Sequence, residues 1–271
     1  MTGAEPTVLA GLVAAGLERR EARWLVEECG SDHDALADAL ARRLAGEPLQ
    51  YVIGHWPFRR LDLDVDARAL IPRPETEELV GRAIDVLALS NVPAPIVLDL
   101  GCGTGAIGLS LLAELAERGV AATLIAVDVS SAALALCRQN ALKHELYSVS
   151  FVLGSWYDGL DESLAGRVDL VVSNPPYVGA LERVSLDPVL DHEPSGALVA
   201  ADAEGVGGFA DLAAVIAGAP RWLAAGGALV VEHGHDQREA VRRAAFGAGL
   251  RDVVDFEDLA GKPRILVARR P

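Results

Sequence analysis

From Pro95 onward, short apolar, β-branched runs alternate with longer amphipathic stretches, and that alternation leaves few folds open to the chain. Ile96–Leu100 runs into a cluster of glycines, after which residues 106–118 read as a helix. Residues 123–129 follow as a strand and 130–142 as a helix. Residues 150–153, 168–173 and 228–232 are further strands, and 252–256 and 264–268 close the chain around a turn at Gly261. Parallel strands need a crossover, usually a helix, between each pair, so this spacing predicts a doubly wound α/β fold built on a mainly parallel sheet.

The first 72 residues have a different period. Residues 1–50 read as short helices: Leu9, Leu12, Val13 and Leu17 recur at helical spacing, and Leu36, Ala39, Leu40 and Leu44 form a second apolar stripe behind a Ser31/Asp34 capping box. Arg19-Arg20 and Arg42-Arg43 read as solvated helix faces or, alternatively, as groups that meet an acidic partner, and Trp24 and Trp222 as core or interface anchors. Leu61-Asp62-Leu63-Asp64-Val65-Asp66 alternates strictly, which predicts a β-hairpin connector over 51–72. Pro74 then suits a first helical position, with Glu75, Glu77 and Glu78 at the positive end of the helix dipole. Three parts are therefore expected: a helical domain 1–50, the connector 51–72 and an α/β domain 73–271.

Composition narrows the partners. With 51% hydrophobic residues among 271 there is ample material for a core, and 24 basic against 39 acidic side chains leave a formal charge of −15. That balance argues against a binder of duplex nucleic acid. Three cysteines (Cys29, Cys102, Cys137) without CxxC spacing fit a reducing compartment. No basic and apolar leader opens the chain, and the longest uncharged stretch, 100–113, is too short to span a bilayer, so a cytoplasmic protein without membrane contact is expected.

Two motifs carry chemistry. Asp99-Leu100-Gly101-Cys102-Gly103-Thr104-Gly105 joins a strand to a helix, and glycines there permit positive φ and close approach of a ligand to the backbone. Asp128 ends the next strand, where a carboxylate can accept from a ribose hydroxyl pair. The second motif, Asn174-Pro175-Pro176-Tyr177, follows the strand 168–173. Two prolines restrict that corner, so the Asn174 side chain and the Pro175 carbonyl offer two acceptors to a planar NH2, and Tyr177 offers an aromatic face. Glu232-His233-Gly234-His235-Asp236 contains metal-ligand types but reads as structural, and no metal site is expected.

The glycine turn, the distal acid and NPPY resemble class I S-adenosylmethionine-dependent amino methyltransferases. More narrowly, Ile71-Pro72-Arg73-Pro74-Glu75-Thr76-Glu77, DLGCGTGAIGLSLL, VVSNPPYV, His192-Glu193-Pro194 and Gly226-Gly227 ahead of Glu232-His233-Gly234 resemble the PrmC/HemK family. These are protein-(glutamine-N5) methyltransferases acting on peptide chain release factors. The resemblance implies a Rossmann-like, seven-stranded sheet and S-adenosyl-L-methionine as cofactor. It implies that Gly101, Cys102, Gly103, Thr104 and Gly105 wrap the methionine part, that Asp128 binds the ribose and that Trp156 lies near the adenine. Asn174, Pro175, Pro176 and Tyr177 would hold the glutamine of the release factor's GGQ loop, with Asn174 also beside the cofactor and Arg73 and Thr76 over the site. The chain departs from the family at Ser155, where members often carry an acid, and in a shorter helical N-terminal region. Three alternatives stay open: methylation of a glutamine in another protein such as a ribosomal protein, adenine-N6 methylation of nucleic acid, and a non-catalytic cofactor-binding scaffold.

Overall fold

The computed structural model describes residues 5–90, 92–183 and 186–271. Helices α1 (Glu5–Ala14), α2 (Arg19–Cys29), α3 (His33–Leu44) and α4 (Leu49–Ile53) form the N-terminal part around Leu12, Leu17, Leu25 and Leu36. The cap of α3 is Asp32 rather than Ser31: its Oδ1 accepts from Asp34 N at 3.1 Å and Ala35 N at 3.0 Å. Residues 51–53 complete α4, which ends at Gly54 in the left-handed region (φ 87°), so the hairpin starts later than the sequence suggests. Arg42 and Arg43 are not merely solvated. Arg42 pairs with Glu47 at 2.5 Å, and Arg43 reaches Glu21 at 2.9 Å, joining α3 to α2.

The hairpin consists of β1 (His55–Phe58) and β2 (Leu61–Asp64), paired antiparallel. Trp24 stacks on Trp56 at 4.6 Å, which fastens α2 to the hairpin. On the other side, Arg59 meets the buried Glu114 through Nη2 at 2.7 Å and donates from Nη1 to the Glu77 carbonyl at 2.9 Å.

The α/β part carries α5 (Pro74–Ser90), β3 (Ile96–Leu100), α6 (Ala106–Glu117), β4 (Thr123–Asp128), α7 (Ser131–Lys143), β5 (Val149–Leu153) and β6 (Val168–Ser173). After β6 come α8 (Ala180–Arg183), α9 (Ser195–Leu198), α10 (Ala210–Trp222), β7 (Leu223–Glu232), α11 (Arg238–Gly247), β8 (Arg251–Glu257) and β9 (Pro263–Arg269). The seven strands are ordered β5-β4-β3-β6-β7-β9-β8, with β9 antiparallel to both neighbours and the others parallel to one another. Both faces are covered, which is why the central strands read as continuous apolar runs. Val97, Leu124, Val172 and Val230 pack under α5, α6 and α7, while Leu98, Ile125, Val171 and Leu229 pack under α10 and α11. Among the described residues, no helix is long and apolar enough to cross a membrane.

Register decides where the site can form. Leu100 pairs with Val127 and with Ser173, and Ser173 pairs with Val231. The next residues, Gly101, Asp128, Asn174 and Glu232, therefore stand in one row at the C-terminal ends of their strands. The chain steps from β3 outward to β5 and then crosses back to β6, so this row spans the switch point of the sheet, where α/β folds open a crevice.

Candidate active site

The glycine turn after β3 is built by backbone geometry. Gly101, Gly103 and Gly105 have φ of 72°, 53° and 86°, values that L side chains rarely adopt. At Gly105 a Cβ would also lie 2.6 Å from Leu109 Cδ1 and 2.7 Å from Cys137 Sγ. The amides of Gly101 and Cys102 donate to the Val127 carbonyl at 2.9 and 3.0 Å, which ties the turn to β4. Asn140 of α7, fully buried, donates to the Thr104 carbonyl at 2.9 Å and to the Asp64 carbonyl at 3.0 Å, so the turn is also tied to the hairpin.

Two carboxylates serve this turn differently. Asp99 is fully buried and accepts from Gly108 N at 2.9 Å through Oδ2, while Oδ1 has no partner. Burial, opposed by the Gly108 amide, pushes its pKa up to about 7. Asp128 stands at the rim. Its Oδ2 accepts from Gly103 N and its Oδ1 from Ser130 N, both at 2.9 Å. Burial raises its pKa, and the amides of Ser130, Gly103 and Val129 oppose that rise.

A cavity of about 310 Å³ opens over the row, within the range of roughly 300–1,000 Å³ common for small-molecule sites. Of the residues that the sequence singles out, Gly101, Cys102, Gly103, Thr104, Asp128, Trp156, Asn174 and Pro176 line it, as do Arg73 and Thr76. Gly105, Pro175 and Tyr177 do not. Gly105 caps α6, and Pro175 is buried beneath the corner. Tyr177 is turned toward β7 and β9: its hydroxyl donates to Glu232 Oε1 at 3.2 Å, and the Arg264 guanidinium lies 5.9 Å from its ring centre. Burial pushes the Tyr177 phenol up.

The NPPY corner is held from several sides. Ser173 Oγ donates to the Leu100 carbonyl at 2.7 Å, and Gln237 Nε2 donates to the Tyr177 carbonyl at 3.1 Å. Asn174 Nδ2 donates to Thr76 Oγ1 at 3.1 Å, and Thr76 Oγ1 donates to Glu232 Oε2 at 2.7 Å. Glu232 is 1% exposed, and burial raises its pKa against the pull of Thr76, Arg264 and Tyr177. Over the cavity, Glu193 accepts from Arg73 Nη2 at 2.6 Å and from Ile71 N at 3.0 Å, strapping the segment before α5 to the one before α9.

Sequence reasoning read Glu232 as part of a structural cluster and quoted Glu193 only within a family motif, and it singled out neither Asn140 nor Asp211. An acid ending the apolar run of β7 repeats the pattern of Asp128 on β4 and was a usable signal for Glu232. Asn140 follows Leu136 and Cys137 at helical spacing on an apolar stripe, a second usable signal. Asp211 lines the cavity, accepts from the Trp156 side chain and is pushed up by burial, and nothing local marks it. His233 is fully buried, with Nε2 3.0 Å from Asp255 Oδ2 and Nδ1 2.8 Å from the Gly234 carbonyl, so both ring nitrogens are taken up within the protein. Cys102 and Cys137 are buried together, and their contact, with burial, pushes the Cys102 thiol up.

Residues 93–249 match a family model described as a methyltransferase domain. The chain is 40% identical over 231 residues to the release factor glutamine methyltransferase of Vibrio cholerae, covering 85% of this chain and 76% of that one. It is 40% identical over 277 residues to the release factor glutamine methyltransferase of Bordetella pertussis, covering 96% and 98%. Among solved structures, a methyltransferase from Pyrococcus furiosus aligns with a TM-score of 0.53 at 17% identity, covering 85% of this chain and 96% of that one. With a sheet of this order, a crevice at its switch point and relatives of this closeness over most of its length, the chain belongs to the release factor glutamine methyltransferase family.

Proposed function

We propose that the cavity binds S-adenosyl-L-methionine and that the enzyme methylates the side-chain amide nitrogen of the glutamine in the GGQ loop of peptide chain release factors. The observation that carries this reading is the placement of the Asn174 side chain in the same cavity wall as the glycine turn and Asp128. The names of the relatives support the substrate.

The donor set suits that cofactor. Each Asp128 oxygen accepts one backbone hydrogen and keeps acceptor capacity, which matches a ribose hydroxyl pair. Trp156 supplies an aromatic wall, and Asp211 beside it offers an acceptor for an exocyclic amine where Ser155 carries no charge. The Gly101–Gly105 backbone allows close approach at a turn where a side chain would obstruct it. When bound, the cofactor supplies a methyl group on a positively charged sulfur.

The protein's work is chiefly positioning. An amide nitrogen is a poor nucleophile because its lone pair is delocalised into the carbonyl. Asn174 Oδ1 accepts one of its hydrogens, which directs the lone pair and favours positive charge developing on nitrogen; Pro175, the second acceptor expected from the sequence, does not line the cavity. Orientation of this kind lowers barriers by roughly 7–11 kcal/mol in favourable cases. With the cofactor bound, the N–C bond would form as the methyl–sulfur bond breaks, the sulfur leaving as a neutral thioether with the electron pair. The methylated nitrogen would then release its proton to water, so no side chain is needed as general base. The region over 1–50, with the hairpin behind it, is the part we assign to recognition of the protein substrate, and 73–271 to catalysis.

Incubation with methyl-labelled cofactor and separate pools of release factors, ribosomal proteins and DNA tests this directly. Mass spectrometry is expected to place the label on one release-factor glutamine. Label on a ribosomal protein or on DNA, or cofactor binding without transfer to any pool, overturns the reading.

A further inference from the structure

Three elements far apart in sequence converge behind the Asn174 side chain: the corner after β6, the first turn of α5 and the last residue of β7. Asn174 Nδ2 donates to Thr76 Oγ1 at 3.1 Å, Thr76 Oγ1 donates to Glu232 Oε2 at 2.7 Å, and Tyr177 Oη donates to Glu232 Oε1 at 3.2 Å. Thr76 is 4% exposed, and Glu232 lies behind the cavity wall rather than in it.

The chemistry of this chain has a direction. An asparagine side chain presents nearly the same shape with its oxygen and nitrogen exchanged, but one orientation offers an acceptor to the cavity and the other a donor. Glu232 accepts at both oxygens, from Thr76 Oγ1 and from Tyr177 Oη, so the single hydroxyl hydrogen of Thr76 is spent on it. That leaves Thr76 Oγ1 with lone pairs alone toward Asn174, which must therefore bring its NH2. The oxygen is then left for the cavity. With the opposite polarity Asn174 would turn a donor toward a substrate amide that is itself a donor, and the productive contact would be lost.

We infer that Thr76 and Glu232 are positioning residues for methyl transfer: Glu232, acting through the Thr76 hydroxyl, sets which end of the Asn174 amide faces the substrate. This rests on the role proposed above for Asn174 and adds two residues that touch neither reacting atom. Tyr177 belongs to the same device, since its hydroxyl occupies the second oxygen of Glu232 and so leaves Oε2 for Thr76.

The test compares Thr76→Val, which keeps shape and removes the hydroxyl, with Thr76→Ser, which keeps the hydroxyl, and adds Glu232→Gln. Thr76→Val is expected to lower kcat on the release-factor substrate about tenfold, the scale of one directed hydrogen bond. Cofactor affinity should stay within about twofold, and Thr76→Ser should restore most of the rate. Glu232→Gln, whose amide can donate to Thr76 and reverse the polarity, should fall at least as far as Thr76→Val. Equal losses in Thr76→Ser and Thr76→Val, or a loss confined to cofactor affinity, overturn the inference. A measurement on the unaltered enzyme needs no turnover: the Asn174 side-chain amide, assigned by NMR from its loss in Asn174→Ala, should have one slowly exchanging hydrogen. Two fast-exchanging hydrogens overturn it as well. Absence of glutamine methylation in the unaltered enzyme would count against the function instead, and leaves the NMR outcome to decide this inference separately.

Discussion

At the scale of single residues, the proposed function assigns cofactor binding to Asp128 and methyl transfer to Asn174. Asp128→Ala should raise the dissociation constant for S-adenosylmethionine about 100-fold, corresponding to two hydrogen bonds to a charged group at about 1.5 kcal/mol each. Asn174→Ala should leave cofactor affinity nearly unchanged and lower kcat by about 100-fold, comparable to removing one preorganised polar group from a reacting centre. Titration calorimetry and initial rates separate the two outcomes. Asp99 makes a different point. Its pKa is raised to about 7 in the folded protein, above the ordinary carboxylate value that the unfolded chain restores, so the folded state holds the proton more tightly. Stability from this group is therefore full at low pH and is lost as pH rises from about 4 through 7, on the order of a few kcal/mol. Asp99→Asn should flatten that part of the profile of Tm against pH and raise Tm most at pH 8.

Between elements, the NPPY corner is seated against the loop before α10 by a close backbone approach. A Cβ on Gly208 would lie 2.3 Å from the Tyr177 carbonyl oxygen and 2.7 Å from Gly179 N, and its φ is 63°. Gly205, at φ 77°, has open space where its Cβ would be. Gly205→Ala should thus cost only the left-handed conformation, about 1–2 kcal/mol. Gly208→Ala should cost about 2 kcal/mol more through overpacking and should lower kcat by displacing Asn174. Chemical denaturation and rate measurements on both variants read the difference. Equal effects would mean that the contact with Tyr177 does not seat the corner.

Across the whole molecule, the hairpin is the joint between the helical part and the sheet, and the half-buried Arg59, paired with the buried Glu114, is its pin. Glu114 is held below the usual carboxylate range chiefly by its hydrogen bond to Arg59, with the Arg59 charge adding to it. Removing the cation leaves that carboxylate enclosed and unpaired, which costs about 3–5 kcal/mol. Arg59→Ala should accordingly lower Tm by roughly 10 °C, at about 2–4 °C per kcal/mol for a chain of this size. Arg59→Ala Glu114→Leu should recover most of the loss, because no charge is then stranded. Calorimetry of the two variants decides this, and a single variant that melts like the unaltered protein would show that the joint is held by apolar packing alone.

Local rules made the elements legible. β-branched runs marked every strand of the sheet, Pro74 and its following acids marked the start of α5, and glycines at positive φ marked the turn after β3. The Asn-Pro-Pro-Tyr corner needed no tertiary information to be read as rigid. Sequence reasoning erred at element boundaries: residues 51–53 read as part of the connector but complete α4, and the cap of α3 is Asp32 rather than Ser31. The sequence alone thus determined which short segments could carry chemistry, because conformation at a turn or strand end is set by neighbouring residues. Tertiary structure alone decided that Thr76 meets Asn174 98 positions away and Glu232 156 positions away. It also decided that Tyr177 turns away from the cavity and that Asp211 lines it. Those outcomes follow from strand order and register, which arise from the packing of both faces of the sheet and leave no mark within any one segment.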